Sequence, residues 1–257
     1  MNILVLGDVV SQCGCEKVRA AVPPFKRLKG IDLCLANGEN SAKGNGITPE
    51  SANALFSSGV DFITTGNHAF RRAEMYDYFE ESDCVIRPYN YPPSAPGRGV
   101  GIIDMGKVQV GVINLSGTMF MENLENPFYA ADRALEEIES CKIRLVDFHA
   151  ETTSEKLALA YYLDGRVSAF FGTHTHVQTS DERILPQKTG YITDLGMCGP
   201  RESVLGVKKE IVIKKFRTNL PVRFDTDEDA PCLIHGCIFT VDEKSGECLE
   251  VERVELE

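Results

Sequence analysis

The chain has no tryptophan, only five histidines and no basic surplus, its formal charge being −11. Such an acidic balance excludes the basic face that non-specific binding to nucleic acid or to an anionic membrane requires, leaving room for a local phosphate pocket only. No apolar run approaches the ~18 residues needed to span a bilayer. Internal repeats, low-complexity tracts and Pro/Gly/Ser linkers long enough to separate domains are also missing, so residues 1–257 read as a single domain. There are nine cysteines but no CxxC pair, and the closest two, Cys13 and Cys15, have no zinc-type neighbours. An odd, scattered set of this kind reads as reduced thiols. The opening Met1-Asn2-Ile3-Leu4-Val5-Leu6-Gly7-Asp8 offers neither a basic segment nor a small-residue cleavage site, and the expectation is a soluble, cytoplasmic protein.

What the chain does have is a series of short apolar runs. Asn2–Leu6, Asp32–Ala36, Asp61–Thr65, Cys84–Ile86, Val100–Met105, Val108–Asn114, Ile143–Phe148, Val167–Phe171 and Tyr191–Thr193 read as buried strands. Helical patterns lie between several of them. Thr48 is a plausible N-cap with Pro49 as the first helical residue of a helix stopping near Gly59, and Pro127–Cys141 repeats Ala131, Leu135 and Ile138 at helical spacing. In the last third, Ile211–Phe216, Cys232–Val241 and Cys248–Val254 read as strands, with a hairpin turn at Asp242–Gly246 and antiparallel pairing at the C-terminal edge. The class is α/β, and two stacked sheets with outer helices account for so many buried strands.

The polar residues of interest share one placement. Asp8, then Glu39 and Asn40, then Asn67 and His68, then His149, then His174 and His176 each close an apolar strand or begin the loop beyond it. In open α/β sheets the ligand crevice lies outside the carboxyl ends of the strands. Singly, each has an ordinary structural reading as a cap, a turn or a margin histidine. As a set they do not, because four of the five histidines obey the same rule. The pair in Gly172-Thr173-His174-Thr175-His176 follows an apolar strand, and on extended backbone alternate imidazoles converge on one point.

Imidazole, carboxylate and Asn carbonyl form a mixed N/O donor set suited to iron, manganese or zinc. Seven candidate ligands exceed the needs of one ion and suffice for two, with Glu39, the only candidate glutamate, as the bridge. Paired metals suit in-line displacement at phosphorus, and a neighbouring imidazole suits the general acid that an alkoxide leaving group needs. His68 is the candidate for that acid. Arg71, Arg72 and Arg201 are weaker candidates for phosphate contacts. Asp147 and Asp194 read either as orienters of ligand imidazoles or as strand-end turn residues, and His235 as structural.

These blocks, in this order, resemble the calcineurin-like metallophosphoesterases. More narrowly, Asn37-Gly38-Glu39-Asn40-Ser41-Ala42 with Gly46-Ile47-Thr48, together with Thr193-Asp194-Leu195-Gly196-Met197-Cys198-Gly199-Pro200, resemble the bacterial YmdB-like branch. Two departures from the broad superfamily, Val10 where a histidine is usual and Glu39 where an aspartate bridge is usual, are shared by that branch. The resemblance implies a four-layer αββα sandwich with two mixed sheets flanked by helices. It implies Asp8, Glu39, Asn40 and His176 around one metal ion, Glu39, Asn67, His149 and His174 around the other, and His68 outside both. The implied activity is phosphodiester hydrolysis, including 2′,3′-cyclic nucleotides opened to 3′-nucleotides. Expected partners are therefore two transition-metal ions and a small phosphodiester, without a membrane or an extended nucleic-acid surface. A homo-oligomer is possible, with the Tyr89–Pro96 loop as its candidate contact. The alternatives are a phosphomonoesterase or nucleotidase using the same metals, and a regulatory nucleotide- or RNA-binding module in which hydrolysis is incidental.

Overall fold

A computed structural model describes residues 1–257. In chain order its elements are β1 (Asn2–Val10), α1 (Ser11–Lys29), β2 (Leu33–Asn40), α2 (Pro49–Ser57), β3 (Phe62–Thr64), α3 (Met75–Glu81), β4 (Val100–Asp104), β5 (Gln109–Ser116), α4 (Pro127–Glu137), β6 (Ile143–His149), α5 (Thr153–Leu163), β7 (Ala169–Thr173), β8 (Arg183–Ile184), β9 (Gly190–Ile192), β10 (Met197–Pro200), α6 (Lys209–Thr218), β11 (Cys232–Val241) and β12 (Cys248–Leu256). No helix is long and apolar enough to cross a membrane.

Two six-stranded sheets form, ordered β12-β11-β10-β1-β2-β3 and β4-β5-β6-β7-β9-β8. In the first, β10, β1, β2 and β3 run parallel while β11 and β12 pair antiparallel at the edge, as the sequence led us to expect. The second has β5, β6, β7 and β9 parallel between antiparallel β4 and β8. Strand alternation explains why they stack. On β1, Leu4 and Leu6 point to a core shared with Val18, Val22, Ala52 and Leu55 of the helices, while Ile3 and Val5 point to Val110, Val112, Leu145 and Phe171 of the other sheet. A third apolar layer joins the second sheet to α4 and α5 through Ala131, Leu135, Phe148 and Leu159. The result is the four-layer αββα sandwich with two mixed sheets.

α2 begins as read, with Thr48 as N-cap, Ser51 completing a capping box and Pro49 at the first turn. α4 starts at Pro127, capped by Asn126. Other expectations fail. Ile211–Phe216 is not a strand but lies within α6: its β-branched run has no sheet edge to join, only Val212 is buried, and Lys215, Arg217 and a left-handed Asn219 close the helix. Cys84–Ile86 makes only an isolated bridge, Val85 to Ile63. α1 escaped the sequence reading because Pro23 and Pro24 sit inside it. In the Tyr89–Pro96 loop, Tyr91 is half-buried with its ring edge-on to Phe70 at 5.3 Å.

Candidate metal centre

The carboxyl ends of β1, β2, β3, β6 and β7 meet at one crevice between the sheets. Asp8 sits at a bulge of β1, where the register to β2 shifts on either side of it, and such bulges re-aim a side chain. Glu39 and Asn40 are the last residues of β2 rather than loop residues, and His149 ends β6. Asn67 and His68 follow β3, and His174 and His176 follow β7. The sequence expectation fails at one point here. The two histidines after β7 are not on extended backbone: the strand ends at Thr173, and their φ values are 100° and 63°. That sparsely populated backbone sends the imidazoles to different neighbours instead of one point.

Each of the three imidazoles of His149, His174 and His176 engages an oxygen with one nitrogen and turns the other into the crevice. Thr173 Oγ1 donates to Asp147 Oδ1 at 2.7 Å and therefore accepts from His149 Nδ1 at 2.9 Å. His174 Nε2 donates to Glu151 Oε2 at 3.0 Å, and His176 Nδ1 donates to the Leu205 carbonyl at 3.0 Å. This is the arrangement that fixes ligand tautomers in metal sites. The bare His149 Nε2 then faces Asn67 Oδ1 at 3.0 Å, His174 Nδ1 at 3.1 Å and Glu39 Oε1 at 3.2 Å. Four lone pairs at such spacing repel unless a cation lies among them. Ligands about 2.0–2.1 Å from a shared ion stand about 3 Å apart, so the spacing fits one. Glu39, His149 and His174 are mutually within metal-sharing reach.

A second group adjoins the first. His176 Nε2 is 3.3 Å from Asn40 Nδ2 and 3.8 Å from Asp8 Oδ1. Asp8 Oδ2 accepts from the His174 amide at 3.0 Å, but Oδ1, wholly buried, has no hydrogen-bond partner. An orphaned buried carboxylate oxygen is costly unless something positive meets it. Asn40 turns its amide nitrogen toward Glu39 and His176 and its oxygen toward His68 Nδ1 at 3.0 Å. Ligation through its oxygen requires the opposite amide rotamer. Val10 and Asn40 are register partners on β1 and β2, so an Asn side chain stands beside the position where the superfamily keeps a histidine.

The electrostatics agree with the geometry. Burial opposes charging His149, yet Glu39, Asp8 and Asp147 overcome it and push the imidazole up to about 9. His174, buried beside that cation, is pushed down to about 3. Burial would raise Glu39, but His149 and His68 hold it well below the usual carboxylate range. The crevice therefore draws positive charge, which a proton or a metal ion can supply.

His68 stands at the rim. Its amide donates to Glu39 Oε2 at 2.9 Å and its Nδ1 lies 3.3 Å from Glu39 Oε1, while its side chain lines the cavity. Asp147 touches no imidazole directly and acts through Thr173; Asp194 holds the loop instead, accepting from the Thr175 and Gly196 amides and the buried Lys156 ammonium. Arg71, Arg72 and Arg201 do not line the cavity. Arg72 is spent on the carbonyls of Lys43 and Asn45, and Arg201 on Glu257. His235 is on β11, outside the crevice. Sequence reasoning missed Asn37, Thr173 and Glu151; the first two sat inside motifs already singled out, beside the ligands they support. Asn37 ties the sheets together by donating to Asp147 Oδ2 at 3.1 Å and Thr173 Oγ1 at 3.3 Å.

Comparison with known proteins places the chain in a family. Residues 4–254 match the model of the family described as YmdB-like protein. A Bacillus subtilis (strain 168) protein named 2′,3′-cyclic-nucleotide 2′-phosphodiesterase is 43% identical over 255 residues, covering 99% of this chain and 96% of that one. A crystal structure of a hypothetical protein from Thermus thermophilus superposes with a TM-score of 0.93 at 39% identity, covering 99% of this chain and 98% of the other. A Mycoplasma pneumoniae structure described as a novel phosphatase gives 0.94 at 32% identity, covering 100% and 93%. Matched by the family model over residues 4–254, the chain belongs to the YmdB-like family.

Proposed function

We propose that this protein is a cytoplasmic, metal-dependent phosphodiesterase that opens 2′,3′-cyclic nucleotides to 3′-nucleotides, with residues 1–257 acting as one domain. The observation that carries the reading is the set of bare imidazole nitrogens converging with Glu39, Asn67 and the orphaned Asp8 Oδ1. Glu39, Asn67, His149 and His174 would hold one ion; Asp8, Glu39, Asn40 and His176 would hold the other, with iron, manganese or zinc suited to the donors. When bound, such a pair supplies an acidified water nucleophile and neutralises charge on the phosphoryl oxygens. The relative named as a cyclic-nucleotide 2′-phosphodiesterase supports the choice of substrate.

The chain's own residues do the rest. Thr173, Glu151 and the Leu205 carbonyl hold the three imidazoles in position. His68, whose Nδ1 is engaged by Asn40 and Glu39, is left with Nε2 to give a proton to the departing ribose oxygen. The asymmetry of a general acid beside the ligands, and not among them, favours catalysis over a binding module.

The test is a substrate panel on metal-reconstituted protein with the metal content measured on the same sample. Turnover of 2′,3′-cyclic nucleotides to 3′-nucleotides at two ions per chain is the expected result. Preference for monoesters would move the reading to a nucleotidase, and tight binding without turnover would move it to a binding module.

A further inference from the structure

Two kinds of residue line the same cavity, about 400 Å³ in volume: the ionisable Glu39, His68, His174 and His176, and the apolar Leu205, Val207 and Phe224. Leu205 and Phe224 remain 48% and 56% exposed. Apolar side chains that share a cavity with ionisable groups can cover the apolar part of a ligand whose polar part those groups hold.

This apolar wall is fastened to the proposed metal centre. The Leu205 carbonyl accepts from His176 Nδ1, and Leu205 adopts a left-handed φ of 55°. Val207 bridges Thr226, the Lys208 amide donates to the Asp225 carbonyl at 3.0 Å, and the Asp227 amide donates to the Gly206 carbonyl at 3.2 Å. The next residue, Glu228, accepts through its carboxylate from Ser11 Oγ and from the Cys13 amide at the start of α1. Phe224 thus lies just before a strap tied at one end to Gly206 and Lys208, next to the Leu205 that holds His176, and at the other to α1, which follows the strand of Asp8. Other exposed apolar residues in this region, Ile213, Phe216 and Leu220, do not line the cavity.

We propose that Phe224, flanked by Leu205, is the platform on which the nucleobase rests while the cyclic phosphate lies against Glu39, His174 and His176 of the same cavity. The inference deepens the phosphodiesterase reading and rests on it. Every base has a π-face, so an aromatic platform gains affinity with little regard to base identity. Removing one such stacking partner costs about 5- to 150-fold in binding. The same platform gives no benefit to a cyclic phosphodiester without a base.

The experiment compares wild type, Phe224→Ala and Phe224→Trp, all metal-reconstituted, on the four 2′,3′-cyclic nucleotides and on glycerol 1,2-cyclic phosphate. Sedimentation and direct cyclic-nucleotide binding are followed in parallel. For Phe224→Ala the expected result is a rise in KM of about tenfold or more for all four nucleotides, with kcat changed far less. The preference for nucleotide over the base-free diester should collapse by the same factor, and Phe224→Trp should restore it. Equal losses on both substrate types, no loss at all, or a changed oligomeric state with unchanged KM would each overturn the platform. A wild type that prefers nucleotides no more than glycerol 1,2-cyclic phosphate overturns the platform and leaves the phosphodiesterase reading standing. A wild type that neither binds nor opens any cyclic nucleotide overturns both.

Discussion

A histidine with one nitrogen occupied and the other bare is a prepared ligand, and the crevice contains three of them around two carboxylates. His68 differs because its engaged Nδ1 faces the ligand side chains and its ring lines the cavity. The two kinds of histidine should therefore fail differently. His68→Ala is expected to lower kcat by about 10²–10⁴-fold with metal content retained. Thr173→Val, which frees His149 to rotate, should instead weaken metal affinity by about 10–100-fold. Elemental analysis alongside turnover separates the two, and loss of metal from His68→Ala would remove it from the acid role. At this scale the ligand candidates were legible because Asp, Glu, Asn and His at strand ends announce their chemistry. Thr173 and Glu151 were not, because a hydroxyl or an exposed carboxylate acquires its role only from the imidazole it touches.

Between residues and the whole lie the elements, and here backbone geometry does what side-chain type cannot. The bulge in β1 aims Asp8, and the abrupt end of β7 at Thr173 separates His174 from His176. The loop after β3 passes so close to β6 that a Cβ on Gly66 would stand 2.2 Å from His149 Cδ2. Gly66→Ala must therefore displace the imidazole or the loop, an overpacking of about 1–3 kcal/mol. Thermal unfolding should record that loss together with reduced metal content; a normal melting temperature and full metal occupancy would show that the loop yields freely. Continuous apolar runs made most strands readable, and the Thr48-Pro49 start made α2 readable. Two elements misled for opposite reasons. The β-branched run of α6 looked like a strand until no sheet edge was found to receive it, and the prolines in α1 concealed a helix that packing on β10 and β11 sustains.

Across the whole molecule, two sheets press their apolar faces together and leave like charges crowded at one end of the contact. The buried carboxylates Asp8, Glu39 and Asp147 lie within the reach of a single imidazole. A cation bound there relieves repulsion that the unfolded chain does not feel, so metal and stability are linked. At an ion concentration about 100-fold above Kd the gain is about 2.7 kcal/mol, or about 5–10 °C in melting temperature for a chain of this size. Chelation should lower the transition by that amount and re-addition of manganese or iron should restore it. An identical transition with and without metal would mean that the donors do not close on an ion.

The sequence by itself determined the class of fold and most of the strands, and it offered the candidate donors, because apolar runs and side-chain chemistry are local properties written in one dimension. Only the tertiary structure decided which donors face one another, which nitrogen of each histidine is free, and that Leu205 and Phe224 wall the same cavity. Those facts depend on contacts between strands and loops far apart in the chain. Their distances are set by how two twisted sheets pack, and no spacing along the sequence encodes that directly.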